Sequence, residues 1–136
     1  MGAWSHESFG NDDACDFAAE LAESEDLSAI EGALDAVLKV GDEYLEAPEA
    51  SQAIAAAEAV SRLQGNWGER DSYSEAIDSW VEKVKLKPNQ ALLQKTHQAL
   101  DRILTEPSEL KELWEESEEA GEWIAAVKAL KVRVRA

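Results

Sequence analysis

The run Ala53-Ile54-Ala55-Ala56-Ala57 is apolar on every side of a helix. A surface helix needs a polar face, so this run predicts a central, buried helix. Its alanine content lets neighbouring helices come close, since side-chain size sets the distance between axes. Pro48 is placed to open that helix and Gly65 to close it.

Apolar residues recur at helical spacing through the rest of the chain, and strand-like alternation is nearly absent. Asn11 is a good N-cap, and Ala14, Phe17, Ala18, Leu21 and Ala22 follow on one face. A second helix, capped by Asp26 or Ser28, carries Leu27, Ile30, Leu34, Val37 and Leu38 and stops near Gly41. After the central helix, Ser72 and Glu75 form a capping box for a helix with Ile77, Trp80, Val81 and Val84 inward, ending before Pro88. A fifth helix runs from about Asn89 to Leu104. Pro107-Ser108 breaks it and caps a sixth, with Leu110, Leu113 and Trp114 inward, which Gly121 kinks or ends. Trp123, Ile124, Val127, Leu130 and Val134 continue the spacing. Lys131 to Arg135 alternates like a strand, but one short strand would have no partner.

The fold class expected is therefore all-α. It is a single compact bundle of six or seven short antiparallel helices spanning 1–136, with residues 1–10 as an N-terminal arm packed on it. An echo between Ala33–Leu38 and Ala99–Leu104 would suit solenoid-like pairing, although so short an echo also arises by chance in Ala/Leu-rich helices. Cys15 is the single cysteine, and no secretion signal opens the chain, so the cytoplasm is the expected compartment.

Charge is distributed unevenly. Residues 1–60 hold fifteen carboxylates and one basic side chain, Lys39, and so account for −14 of the −16 net charge. Nucleic acid and anionic membrane are poor partners for such a surface. Asp12, Asp13, Asp16, Glu20 and Glu23 fall opposite the apolar face of the first helix, and Glu25 and Asp26 extend them. One reading is a solvated face. The other is a docking surface for a basic partner protein, with Trp67, in a Gly-flanked loop, as the aromatic anchor.

Glu58, Asp35 and Asp101 sit in apolar stretches, where a desolvated carboxylate needs a cation or hydrogen bonds. Arg62, four residues after Glu58, is one partner and Arg102 another, which makes structural ion pairs the simple reading. A carboxylate cage for a divalent metal, serving a hydrolase, is the alternative from another class, and a scaffolding domain is a third. The Glu-x-x-His signature of helical metal cages is missing, and His97 pairs most simply with Asp101, one turn on. No serine nucleophile elbow, phosphate-cradling glycine loop or zinc spacing is present, and the acids around Cys15 disfavour its thiolate. No catalytic residue and no cofactor is assigned, and a non-enzymatic role is expected.

The segments Met1-Gly2-Ala3-Trp4, Phe9-x-Asn11-Asp12-Asp13-Ala14, Tyr44-Leu45-Glu46-Ala47, Ala56-Ala57-Glu58, Ala99-Leu100-Asp101-Arg102 and Ser108-Glu109-Leu110-x-Glu112-Leu113-Trp114 follow one another along nearly the whole chain. In this the chain resembles an uncharacterised bacterial family, domain of unknown function 4259. It departs from that pattern at Ser5, where Gly is expected, and at Cys15, where a larger apolar residue is expected. The resemblance implies a stand-alone all-helical domain and carries no activity and no functional residues. The sequence reading taken as a whole is a small acidic module that binds a basic protein, in the manner of an immunity protein or antitoxin.

Overall fold

A computed structural model of the chain describes residues 12–67 and 75–135. Among the described residues there are seven helices: α1 (Asp12–Ala22), α2 (Ser28–Leu38), α3 (Ala47–Leu63), α4 (Glu75–Val84), α5 (Gln90–Ile103), α6 (Glu109–Glu115) and α7 (Ala120–Arg133). The fold is an all-α bundle. The N-terminal arm, the Asn11 cap and the Ser72 half of the capping box lie outside the described residues.

α3 touches each of the other six helices. Its alanine run is responsible: Ala53, Ala55, Ala56, Ala57 and Ala59 are wholly buried, and so is Val60. Larger side chains come from the surrounding helices. Phe17 and Leu21 of α1, Ile30, Leu34 and Val37 of α2, Ile77 and Trp80 of α4, and Leu100 and Ile103 of α5 are all buried. Each such side chain stabilises the fold by about 1.5–3 kcal/mol relative to exposure. α6 and α7 are joined by Trp114 and Trp123, whose rings stack 6.4 Å apart at 9°. That geometry adds to the area they bury.

The helix ends follow local chemistry. Asn89 Oδ1 accepts the Leu92 amide at 2.8 Å and caps α5. Asp26 Oδ1 accepts both the amide and the hydroxyl of Ser28, at 3.0 and 2.6 Å, so Asp26 does the capping work at α2. Beyond α2 and α3, Gly41 and Gly65 take positive φ angles of 62° and 85°, which end a helix without a Cβ penalty.

α4 ends before Pro88, as expected, stopping at Val84 where Lys85 adopts φ 51°. Two other ends differ from the sequence expectation. Gly121 lies in the first turn of α7 instead of ending α6, which stops at Glu115. Ser108 occupies the cap position of α6, but its side chain makes no cap bond. It is wholly buried, and its Oγ has no hydrogen-bond partner. The backbone around it is tied to the loop before α3 instead: Glu109 N donates to Leu45 O at 2.8 Å and Leu45 N to Pro107 O at 3.2 Å. Finally, the alternating segment at 131–135 stays helical through Arg133, after which Val134 is extended.

Candidate functional site

Among the described residues, charges are buried at one place in the core, between α3, α4 and α7. Glu58 and Arg62 are 5% and 2% exposed, and Asp78 is 4% exposed. Arg62 donates through Nη1 to Glu58 Oε2 and through Nε to Asp78 Oδ1, the latter at 2.6 Å. Arg133 approaches from α7 and bonds both oxygens of Glu58, at 2.8 and 2.9 Å. Its bond to Glu58 raises the Arg133 guanidinium above its ordinary pKa against the opposing effect of burial. Trp67 lies with its ring centroid 5.9 Å from Arg62 Cζ. The residue expected as an exposed anchor is thus half-buried and packed on a desolvated cation, where a cation–π contact is strongest.

Asp35 and Asp101 are not buried polar groups. Each side chain is 56% exposed and forms a surface ion pair, Asp35 with Lys95 at 2.8 Å and Asp101 with Lys131 at 2.7 Å. Helix rotation explains this. Asp35 shares a stripe with exposed Glu31 and Lys39, one turn away on either side, while Leu34 and Val37 turn inward. His97 does not pair with Asp101 and instead bonds the Val134 carbonyl through Nε2. Glu58, Asp35 and Asp101 therefore stand apart. Among the described residues no three His, Cys, Asp or Glu side chains are grouped so that they could hold a metal ion.

Arg102 pairs with none of those carboxylates. It donates to four backbone carbonyls: Gly41 at 2.8 Å, Glu43 at 2.6 Å, Thr105 at 2.7 Å and Pro107 at 3.0 Å. It thereby ties the α2–α3 loop to the α5–α6 loop. Two side-chain bonds fasten the same loop to α6. Glu109 Oε1 accepts the Ala47 amide at 2.8 Å, and Glu112 Oε2 accepts the Tyr44 hydroxyl at 2.7 Å. Segments quoted for the family resemblance thus meet in space: 44–47, 99–102 and 108–114.

Tyr44 is fixed by these bonds yet 49% exposed, and Val132 is the other large apolar-bodied side chain exposed among the described residues. Tyr44 forms a wall of two open concavities. One, of about 490 Å³, is lined by Glu109, Glu112, Leu113, Glu115 and Glu116. The other, of about 420 Å³, is lined by Ala36, Lys39, Val40, Glu43, Glu46 and Glu49. The bond to Glu112 pushes the Tyr44 hydroxyl up to about 12, helped by burial and by the charges of Glu112, Glu109 and Glu46. Glu49 Oε2 is buried and has no hydrogen-bond partner. Sequence reasoning missed this groove. Its signal was an aromatic flanked by acids, Glu43-Tyr44-Leu45-Glu46, in the short link between Gly41 and Pro48.

The carboxylates of α1 and of the link that follows it are placed more simply. Asp16 and Glu20 on α1 and Glu23, Glu25 and Asp26 beyond it are exposed, and Asp13 is half-buried and engaged. The side chain of Asp12 lies outside the described residues. Among the described residues the lysines and arginines in ion pairs are Arg62, Lys95, Lys111, Lys131 and Arg133, and none reaches Asp16, Glu20, Glu23 or Glu25. Hydrogen bonds from Ser28 hold the Asp26 carboxyl below its ordinary pKa. This arrangement can attract and orient a cation, while no nucleophile, base and electrophile converge on one point among the described residues.

No helix among the described residues is long and apolar enough to cross a membrane. The family model for a domain of unknown function, DUF4259, matches residues 2–126. No curated protein and no solved structure matches the chain.

Proposed function

The chain belongs to the DUF4259 family, and from that premise we propose that it is a protein-binding module for a basic partner, in the manner of an immunity protein or antitoxin. One observation carries the reading: Asp16 and Glu20 on α1 and Glu23 just past its end stand exposed, and among the described residues no lysine or arginine is ion-paired with them. A fold that needed only stability would interleave lysines, because like charges four residues apart cost a few tenths of a kcal/mol per pair. An uncompensated field accelerates encounter with an opposite charge and rejects partners of like charge. A toxin or nuclease whose active site is built for phosphate has such a charge.

The test uses the whole chain as bait in extract of the native host, beside the triple variant D16K/E20K/E23K. The expected result is a basic protein held by the wild type, with association to the variant slowed about tenfold and its salt dependence flattened. Recovery of no basic protein, or equal rates for both baits, overturns the reading. A basic toxin gene adjacent to this one would be the genetic counterpart of the same result.

A further inference from the structure

We infer that the groove around Tyr44 is a two-pronged grip for a basic protein segment, taking one lysine or arginine side chain on each side of the Tyr44 ring. The inference rests on the protein-binding reading above and adds to it a place and a chemistry.

The groove is built to hold its shape. A half-exposed tyrosine on a loose loop would be unremarkable, but Tyr44 is held by its hydroxyl on Glu112 at 2.7 Å. The backbone on either side is fastened by Arg102 to the carbonyls of Gly41 and Glu43 and by Glu109 to the amide of Ala47. The ring is therefore presented with little ordering cost left for a binding event, which is the condition for an aromatic anchor. Its two concavities, about 490 and 420 Å³, share Tyr44 as a lining residue.

The lining selects the occupant. Each concavity has an apolar part, Leu113 on one side and Ala36 with Val40 on the other. Such surface suits the methylene stem of lysine or arginine, which packs on apolar groups while its charged end stays at the rim. The ring face attracts a cation. Glutamates supply the rim on both sides, and carboxylates form their strongest hydrogen bonds with guanidinium or ammonium donors.

A separate observation points to a donor from outside. Glu49 Oε2, in the second concavity, is shielded from water and accepts no hydrogen bond. A buried carboxylate oxygen without a donor is costly, and a cation met by the half-buried Glu49 side chain as it turns towards the concavity removes the cost. Among the described residues Lys39 is the one cation lining that concavity; it is exposed and bonds none of the glutamates there. A small free amine would fill one concavity only. Two adjoining concavities of the same chemistry fit a chain that carries two cations.

The experiment titrates the ¹⁵N-labelled whole chain with two peptides, acetyl-Gly-Arg-Gly-Arg-Gly-amide and its single-arginine counterpart with Gly for the second Arg. The two-arginine peptide is expected to bind saturably, shifting amides within 36–49 and 109–116, and about tenfold more tightly than the single-arginine peptide. Y44A should weaken it about tenfold, whereas Y44F, which keeps the ring, should stay within about threefold. E49Q should weaken it about threefold. Circular dichroism melts establish that each variant is folded. Shifts spread evenly over the acidic surface without saturation, or binding indifferent to Y44A while that variant is folded, overturn the proposal.

The host-extract experiment separates this failure from that of the broader reading. A basic protein retained by Y44A but lost by D16K/E20K/E23K overturns the groove and leaves the protein-binding reading standing. Loss with Y44A together with slowed association to D16K/E20K/E23K supports both.

Discussion

Arg133, in the last turn of α7, holds Glu58 of α3 with a two-pronged bond, Nη2 to Oε1 at 2.8 Å and Nη1 to Oε2 at 2.9 Å. Glu58 thus accepts from two guanidinium groups, while Arg62 is shared between Glu58 and Asp78. α7 is locked to α3 at the same end by further bonds. Gln64 exchanges bonds with the backbone of Arg135 at 2.8 and 2.9 Å, and Asn66 donates to Arg133 O at 2.8 Å.

Glu58→Gln should therefore be severe. It keeps the shape but leaves Arg62 and Arg133 without their shared countercharge. Breaking one side of a buried ion cluster costs about 3–5 kcal/mol. Urea unfolding should show that loss as a lower midpoint. Arg133→Ala should cost less, because Arg133 is 26% exposed in its side chain and Arg62 still compensates Glu58. Equal losses in the two variants would contradict this account.

Arg102→Lys should destabilise the two loops by about 2 kcal/mol, since an ammonium cannot reproduce four fixed bonds made by a planar fork. Hydrogen exchange at Leu45 and Glu109, whose amides close the contact between the loops, should accelerate in the variant. Unchanged protection there would mean that the carbonyl bonds are dispensable.

Tyr44 should titrate at about 12, against an ordinary value of 10.0. A folded-state pKa raised above the unfolded one contributes stability below the unfolded pKa and loses it as pH rises through the folded one. The Tyr44–Glu112 bond should therefore contribute fully up to about pH 10 and fade towards about pH 12. Phenolate absorbance against pH measures it directly. Glu112→Gln should bring that titration back towards 10.0, because the bond to Glu112 is the largest cause of the shift. A wild-type profile with no tyrosine titrating above the ordinary range would refute the assignment.

Ser108→Ala should be nearly neutral or slightly stabilising. A working N-cap would lose about 1 kcal/mol on this substitution. Ser108 Oγ is buried without a partner, so deleting it removes an uncompensated polar group. A thermal melt lowered by the full cap value would show that the hydroxyl does bond.

These cases mark what was legible in the sequence and what was not. Helix positions were legible because apolar spacing is local, and the Glu58–Arg62 pair because it spans one turn. Asp78 and Arg133 were not, because both are remote from Glu58 in sequence. Asp78 borders the apolar set Ile77, Trp80 and Val81, and Arg133 reads as an ordinary last-turn cation. Asp35 and Asp101 were misplaced because apolar sequence neighbours do not define a helix face; the residues one turn away do. Trp67 depended on a cation that only the tertiary fold brings beneath it. The Tyr44 groove needed three segments far apart in sequence to converge on one loop.

The methyl-lined waist of α3 has a mechanical consequence. Alanine has no rotamers to exchange, so the axis of the domain cannot rearrange by side-chain hopping when something presses on its exterior. Adjustment to a bound molecule must come from the connecting loops and from the longer side chains of the outer helices. A change as small as Ala56→Val should be felt by several helices at once, since the axis they share has no room to absorb it.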